Sequence, residues 1–346
     1  MNKLVSIIMP CFNAQRWLQE AIDSCLTQTY PHIEIVVVDD GSTDDSLEII
    51  KNYGDKITWK SLPENCGGSH ARNQAIALSK GEYIQFLDAD DFIFPEKIAR
   101  QVSYLEETGA DIVYGDWQHK FHLPDAMSYF GEVRVPGKQT DILESLLANW
   151  WSAIASLLYR RSIVEKSDSW DEGLIAAQDR DYFINAVING AKVVYQPGCY
   201  SVYRSYGNVT VSTLSKPNWV KSHCYILKKA EQKLISCHII SKKYKQALAL
   251  CYFQMARESL LFDYYQYRNL LKEVLIQFPE FKMNSKSVIY NFMQTYLGFY
   301  QTELIASSII LLNRFFSGYL RLLRDYCSSI NHAFITFTKK NISAMI

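Results

Sequence analysis

The stretch IEIVVVDDGS, residues 33–42, decides the fold of this chain. Its first six residues are mostly β-branched and place apolar side chains on both faces of a strand, as expected for an interior strand of a parallel sheet. The stretch then becomes polar at Asp39 and Asp40, followed by Gly41 and Ser42, which favour turns. An apolar strand that ends in carboxylates predicts a polar loop at the edge of a buried sheet.

Strand and helix patterns alternate on both sides of this stretch. Residues 4–9 predict a buried strand, and apolar side chains at helical spacing predict a helix over 14–28 with Asn13 as its N-cap. The pattern continues with a helix over 44–53, a strand over 57–60, a helix over 69–79 and a strand that ends before Asp88. Short connections between these elements predict right-handed βαβ crossovers, hence an α/β fold that binds ligands beyond the carboxyl ends of its strands.

Composition excludes several classes of protein. The 346 residues are 48% apolar, which is enough for one large core or two smaller ones, and the formal net charge of zero gives no reason to expect nucleic acid as a partner. The eight cysteines have neither C-x-x-C nor zinc-like spacing, which is typical of free thiols in a reducing compartment. The apolar run at the N-terminus, about six residues, is short for a signal peptide. We therefore expect a cytoplasmic protein.

A second polar strand end lies in YIQFLDADDFIFP, residues 83–95. Four apolar or aromatic side chains run into three carboxylates, Asp88, Asp90 and Asp91. Clustered acids at this position are either a solvated loop that caps the next helix or ligands of a cation. Likewise, the acids at 39 and 40 are either a capped turn or part of a binding site.

The phosphate-binding motifs that such a sheet often carries are absent from the sequence. PCFNAQRW follows the first strand in place of G-x-G-x-x-G, and no G-x-x-x-x-G-K-[ST] occurs. Without backbone amides to neutralise a diphosphate, carboxylates can approach one only through a divalent cation. Hard oxygen ligands suit Mg²⁺ or Mn²⁺, so we predict that Asp88 and Asp90 hold one of these ions.

The ordered segments at residues 5–50 and 65–91 resemble the family 2 glycosyltransferases, whose catalytic domain has the GT-A fold. The resemblance covers about residues 3–212. It implies a nucleotide-diphosphate sugar as donor, with Asp88 and Asp90 of the Asp-x-Asp motif on the Mn²⁺ or Mg²⁺ ion that binds its diphosphate.

The resemblance also implies roles for other residues of the first half. Pro10, Asp39 and Asp40 would line the nucleoside pocket, and Asp40 is the preferred acceptor of a hydrogen bond from the base. Arg72, in the segment HARN, would face the diphosphate together with Asp88. The alternative for Arg72 is an arginine on the surface of a helix.

The second half of the domain contains AAQDRDYFINAVINGAKVVYQP, residues 176–197. The resemblance implies that Asp179, at the start of a helix, is the general base of an inverting transfer; the alternative is a helix cap. Family members usually have Glu-Asp here, whereas this chain has Gln178 before the aspartate. A glutamine still forms hydrogen bonds but cannot raise the pKa of Asp179 by charge repulsion. One base and no covalent intermediate suffice for inversion.

Acceptor binding is assigned to the same half. Trp150 and Trp151 offer an aromatic platform for a sugar ring, or alternatively pack in the core, and Asp181 lies beside the base in sequence. Arg204, in YRSYGNVTVST, resembles an arginine that reaches a phosphate. His119 and His122 are too isolated to predict metal ligands.

From about residue 216 the chain predicts amphipathic helices without a catalytic motif. We therefore predict a GT-A domain over 1–215, with a nucleotide-binding half over 1–92 and an acceptor half over 93–215, and a helical extension over 216–346. Residues 300–326 combine an apolar face with Arg314, Arg321 and Arg324, which favours a peripheral membrane contact on the inner face. Alternatively, these helices pack on the rest of the chain or form a homo-oligomer.

The leading functional interpretation is an inverting glycosyltransferase that acts on a glycan or lipid-linked acceptor, as in surface polysaccharide synthesis. Two alternatives stay open. A sugar nucleotidyltransferase of similar fold normally has a Gly-rich, Lys-containing first loop, which this chain lacks, and a non-catalytic binding relative is compatible with the departure at Gln178.

Overall fold

The computed structural model describes residues 3–123, 127–206 and 215–342, with side chains up to residue 315. It divides into two compact units, Met1–Met255 and Ala256–Ile346.

Among its described residues, the first unit has a mixed sheet of nine strands in the order β3-β2-β1-β4-β8-β6-β9-β5, with β7 paired to β6. Strands β1 to β4 run parallel, as the βαβ pattern predicts, whereas β8 pairs antiparallel with both β4 and β6. The strands are β1 (Val5–Cys11), β2 (Ile33–Asp39), β3 (Thr58–Ser61), β4 (Tyr83–Phe86), β5 (Phe92–Ile93), β6 (Ile112–His122), β7 (Ser128–Arg134), β8 (Leu157–Arg160) and β9 (Val193–Tyr206).

Helices accompany the sheet along the chain. They are α1 (Leu18–Leu26), α2 (Ser46–Asn52), α3 (Gly68–Leu78), α4 (Lys97–Thr108), α5 (Ile142–Leu147), α6 (Arg161–Lys166), α7 (Gln178–Ile188) and α8 (Lys216–Ser236), and α9 (Lys242–Ser259) runs across the division between the units. Successive side chains of β1 and β2, such as Ile7, Ile8, Val36 and Val37, are fully buried, so both sheet faces are covered. This explains the unbroken apolar run in the sequence.

Two local predictions about these elements are wrong. Asn13 is not the N-cap of α1, which begins at Leu18 after Trp17. Instead, Asn13 adopts a left-handed φ of 49°, and its Oδ1 accepts a hydrogen bond of 2.8 Å from the Thr43 backbone N–H. Its short amide therefore joins the loops after β1 and β2. The strand predicted over 192–195 extends to Tyr206, because β9 pairs with β6 along its length.

The second unit contains α10 (Tyr264–Gln277) and α11 (Val288–Ile342), which is interrupted at Gly298 with φ 79°. Its interior holds the fully buried carboxylate of Glu303, which accepts hydrogen bonds from Arg257 Nη2 at 2.6 Å and from the Tyr267 hydroxyl at 3.1 Å. These donors offset the cost of burying the charge.

In the described part of the chain, no helix is both long enough and apolar enough to span a bilayer. Of the arginines that the sequence places in the 300–326 segment, Arg314 is exposed. The side chains of Phe316, Tyr319, Arg321 and Arg324 lie outside the described residues. The membrane contact and the domain boundary near residue 215 both stay predictions.

Candidate functional site

Three polar loops meet at one edge of the sheet because β1, β2 and β4 are parallel neighbours. The Asp40 backbone N–H donates to the Cys11 carbonyl at 2.8 Å, and Ser42 Oγ accepts a bond from the Asn13 N–H at 3.0 Å. The predicted convergence of the strand ends is therefore observed.

Asp39 and Asp40 are buried and bonded within this edge. The Asp39 carboxylate accepts a hydrogen bond from Ser61 Oγ at 2.8 Å, while Asp40 accepts bonds from the backbone N–H groups of Cys66 and Gly67 at 2.9 and 2.8 Å. Both side chains thus fix the loops that follow β2 and β3. Pro10 is half-buried at the end of β1. The nucleoside-pocket role of the three residues stays a prediction.

The carboxylates of Asp88, Asp90 and Asp91 form a cluster in which one oxygen from each lies within 4.8 Å of the others. Burial, followed by the charge of Asp88, raises the pKa of Asp90. Burial, followed by the charges of Asp90 and Asp88, raises the pKa of Asp91 well above its ordinary value. Since the pKa values of both Asp90 and Asp91 are raised, a divalent cation at this position would relieve the repulsion between the carboxylates.

Two residues of β9 donate hydrogen bonds to this cluster. The Arg204 backbone N–H donates to Asp91 Oδ1 at 2.7 Å, and its Nε donates to the Asp90 carbonyl at 2.6 Å. The Tyr206 hydroxyl donates to Asp90 Oδ2 at 2.9 Å. The Arg204 side chain is fully buried and also bonds Glu20 Oε2 of α1 at 3.0 Å, so it contacts both the acidic loop and α1. The predicted phosphate contact stays a prediction, and residues 207–213 of that segment lie outside the description.

Arg72 is buried and connects the acidic cluster to the segment that carries the predicted base. Its Nη2 donates to Asp88 Oδ1 at 2.5 Å, and its Nη1 donates to Gln178 Oε1 at 3.2 Å. The guanidinium lies 4.6 Å from the ring centroid of Trp170. The alternative of a surface arginine does not match this burial, and its diphosphate contact stays a prediction.

Asp179 is the second residue of α7 and follows Gln178, whose side chain bonds Arg72. Its Oδ1 accepts a hydrogen bond from the Arg180 N–H at 2.9 Å. Burial raises the pKa of the Asp179 carboxyl, and the charge of Asp88 adds to the shift while Arg72 opposes it. A carboxylate with a raised pKa is a better proton acceptor, which suits a general base.

Asp181 has different hydrogen-bond partners from Asp179. It is buried, and its carboxylate accepts a bond from Lys229 of α8 at 2.7 Å; Lys229 also bonds Asp171 at 2.8 Å. These contacts are structural ion pairs, and an acceptor role for Asp181 stays a prediction.

The two tryptophans differ in their surroundings. Trp150 packs edge-on against Tyr114, with 5.3 Å between ring centroids. Trp151 is 45% exposed and lines a small cavity together with Asp179 and Phe183. Only Trp151 therefore offers a ring to a molecule beside the base, and this acceptor role too stays a prediction.

Sequence reasoning missed the hydroxyl of Tyr206. On a strand, residues two apart face the same side, so Tyr206 follows from Arg204 once β9 is known to continue past 195. The sequence pattern of residues 203–206 alone did not indicate how far that strand extends.

Comparison with known sequences gives a consistent family. Residues 6–166 match the family described as "Glycosyl transferase family 2". An uncharacterized glycosyltransferase of Haemophilus influenzae is 37% identical over 163 residues, and one of Rickettsia typhi is 35% identical over 188 residues. These stretches are 46% and 52% of this chain and 64% and 57% of those proteins, so the chain covers less than two thirds of either relative.

Solved structures share the fold at low sequence identity. TarS of S. aureus in complex with UDP-GlcNAc is 20% identical with a TM-score of 0.63, covering 80% of this chain and 82% of that one. A mannosyltransferase of Pyrobaculum calidifontis in complex with GDP-Man and Mn²⁺ is 17% identical with a TM-score of 0.51, covering 89% and 87%. The first unit with its helices thus has the GT-A fold, and residues 6–166 of this chain match glycosyl transferase family 2.

Proposed function

We propose that this chain is a metal-dependent, inverting glycosyltransferase that moves a sugar from a nucleotide diphosphate to a hydroxyl group of a glycan or lipid-linked acceptor. The observation that carries the proposal is the arrangement around Arg72, which bonds both Asp88 of the acidic cluster and Gln178, the neighbour of Asp179. A single guanidinium therefore links the proposed cation site to the start of the helix that carries the proposed base.

The acidic cluster has the properties that a divalent cation needs. Its ligand atoms are all carboxylate oxygens, and Asp91 Oδ2 is buried without a hydrogen-bond partner among the described residues. Asp88 and Asp90, with Asp91 beside them, would hold Mn²⁺ or Mg²⁺. Such an ion supplies Lewis-acid stabilisation of the charge on the departing diphosphate.

Asp179 removes the proton of the acceptor hydroxyl in this proposal. Its raised pKa improves proton acceptance, but transfer still occurs only as the new C–O bond forms and the hydroxyl becomes acidic. Attack from the face opposite the diphosphate inverts the anomeric carbon and needs no covalent intermediate. Arg72 lies next to the cluster, where it can also contact the diphosphate.

The donor is assigned by chemical class alone. Two solved structures of the same fold bind UDP-GlcNAc and GDP-Man, which supports a nucleotide-diphosphate sugar. We assign the nucleoside pocket to Pro10, Asp39 and Asp40 and the neighbouring loops.

A panel of UDP-, GDP- and dTDP-sugars with Mn²⁺ tests the function. We expect release of the nucleoside diphosphate, which increases when an acceptor is added. Release of pyrophosphate from a nucleoside triphosphate and a sugar phosphate would instead indicate a nucleotidyltransferase. Tight donor binding without any turnover would indicate a non-catalytic relative.

Asp90→Asn tests the metal site separately. The change removes one charged ligand, so we expect nucleotide-diphosphate binding to weaken roughly 10- to 100-fold in Mn²⁺. In EDTA the variant and the wild type should bind equally weakly. Isothermal titration calorimetry with and without EDTA measures this difference, and equal affinity in Mn²⁺ contradicts the assignment.

A further inference from the structure

A continuous row of aromatic side chains leads away from Asp179. We call it the aromatic ladder; it consists of Trp151, Trp117, His119, Phe121 and Tyr129, with Tyr203 beside it. Successive ring centroids are 5.1, 5.0, 5.2 and 5.2 Å apart. Tyr203 contacts Trp117 at 6.1 Å and His119 at 5.4 Å.

The inner end of the ladder lies at the proposed reaction centre. Trp151 shares its small cavity with Asp179. Burial raises the pKa of the Tyr203 hydroxyl, and the charges of the acidic cluster and of Asp179 raise it further. The cavity that Trp151 shares with Asp179 therefore places the start of the ladder where a transferred sugar would be in the proposed function.

Strand geometry places the ladder on one face. Trp117, His119 and Phe121 alternate along β6, and Phe121 is paired with Tyr129 of β7. A Cβ atom on Gly131 would lie 2.8 Å from the Phe121 ring, so only glycine there allows this ring to lie over β7.

The opposite face of the hairpin formed by β6 and β7 carries a lysine between aromatic rings. Lys120 points that way and lies over the rings of Phe92 and Phe130, at 5.1 and 5.8 Å. Phe130 is 49% exposed and is paired with Lys120. It is therefore an exposed aromatic residue of the same hairpin that is not part of the ladder.

We propose that the aromatic ladder binds an acceptor that is an extended glycan chain, with its growing end at Asp179 and preceding sugars along β6 toward Tyr129. This inference rests on the proposed function. Trp117 is buried, and the rings of His119, Phe121 and Tyr129 stack on one another, so a glycan would contact the exposed rings of Trp151 and Tyr129 at the two ends and the ring edges between them. Aromatic rings accommodate the apolar C–H faces of sugars, while the hydroxyl groups of Tyr129 and Tyr203 suit sugar hydroxyl groups. His119 Nδ1 already has a partner in Ser205 Oγ at 3.0 Å, but an aliphatic lipid tail would offer no hydrogen bond to the exposed Tyr129 hydroxyl. Tyr129, at the outer end, is 54% exposed and open to such a chain.

The test compares Tyr129→Ala and Phe121→Ala with the matched control Phe130→Ala. Direct binding is measured, without donor, on an array of mono-, di-, tetra- and hexasaccharides of glucose, N-acetylglucosamine and mannose. The wild type should bind a longer glycan more tightly than its shorter forms. Each ladder variant should lose roughly two- to tenfold of that affinity, and the control should lose none.

Donor binding by calorimetry is measured on the same variants and should stay unchanged, which shows that they are folded. If no glycan binds the wild type more tightly than the ladder variants while donor binding persists, the ladder is not an acceptor site and the proposed function stands. If donor binding or turnover is absent while glycans bind the ladder as expected, the proposed function fails instead. Binding of lipid vesicles or peptides, with no glycan bound, would also overturn the assignment.

Discussion

The Asp179 carboxylate lowers the stability of the fold at neutral pH because its pKa is raised in the folded protein. Its folded-state pKa is raised by burial, so the folded protein binds a proton more tightly at this carboxyl than the unfolded chain does. The stabilising effect of that proton is fully present below the unfolded pKa, about 4, and is lost as pH rises through the folded pKa. At neutral pH, ionised Asp179 therefore destabilises the fold.

Asp179→Asn should separate activity from stability. The amide still accepts the bond from the Arg180 N–H but cannot accept a proton, so we expect transfer to fall by roughly 10²–10⁴-fold while donor binding survives. The melting temperature at pH 7 should rise, and the difference from wild type should shrink toward pH 4. Turnover, donor calorimetry and thermal unfolding at several pH values measure these effects.

Asp181→Asn is the control for that experiment. Asp181 points elsewhere on the helix and pairs with Lys229, so its replacement should leave transfer largely intact. If Asp181→Asn abolishes transfer and Asp179→Asn does not, the base is Asp181.

Gln178→Glu tests how the Arg72 guanidinium divides its hydrogen bonds between residue 178 and Asp88. The new carboxylate would lie next to Arg72 Nη1, now 3.2 Å from Gln178 Oε1, and would compete with Asp88 for the guanidinium. Its charge should raise the apparent pKa of Asp179, so the acid limb of the kcat/KM pH profile moves to higher pH, with transfer retained. Gln178→Met is the uncharged control; an acid limb that moves to lower pH contradicts the prediction.

At the scale of elements, the parallel part of the sheet was predictable because its signals are local. Strands β1, β2 and β4 have apolar runs, the helices between them have a 3.6-residue period, and short connections join successive elements. The antiparallel β8 was not predictable, since it inserts between β4 and β6 by tertiary pairing. Likewise, the bond from Tyr206 to Asp90 joins residues 116 positions apart, so no local pattern contains it.

The loop after β2 depends on one glycine, which gives an element-scale prediction. Gly41 has φ +71°, and a Cβ atom there would lie 2.6 Å from the backbone carbon of Glu64. Gly41→Ala should lower the free energy of unfolding by about 1–3 kcal/mol and weaken donor binding, because it displaces the segment that Asp40 holds. Urea denaturation and donor calorimetry measure the two effects.

Gly54→Ala is the matched control for Gly41→Ala. Gly54 also has a positive φ, +54°, but nothing lies within 4 Å of the added Cβ. It should cost only the backbone strain, about 1–2 kcal/mol, and leave donor affinity unchanged. Equal donor affinity in both variants would show that the loop after β2 does not form the nucleoside pocket.

At the scale of the whole molecule, the formal net charge is zero, but one segment of α11 combines exposed apolar side chains with a basic residue. Between Ile305 and Phe315, α11 exposes several large apolar side chains, with Phe315 at 70%, and Arg314 is exposed beside them. Contiguous exposed apolar surface of this kind is typical of an interaction site. The sequence adds two arginines soon after, at 321 and 324.

We predict that the 300–326 segment attaches the protein to anionic membranes. Each basic residue near such a surface contributes about 1 kcal/mol, which corresponds to roughly a fivefold change in affinity. Arg314→Glu should therefore weaken vesicle binding by at least roughly fivefold. Lys56→Glu reverses an exposed charge that is far from this segment in the sequence, and it should change vesicle binding little. Flotation with anionic and neutral vesicles measures this, and high salt should weaken attachment because it screens exposed charges. Absence of binding to anionic vesicles at low salt would mean that the segment packs against protein instead, either its own chain or a second copy, and sedimentation velocity would then distinguish a monomer from an oligomer.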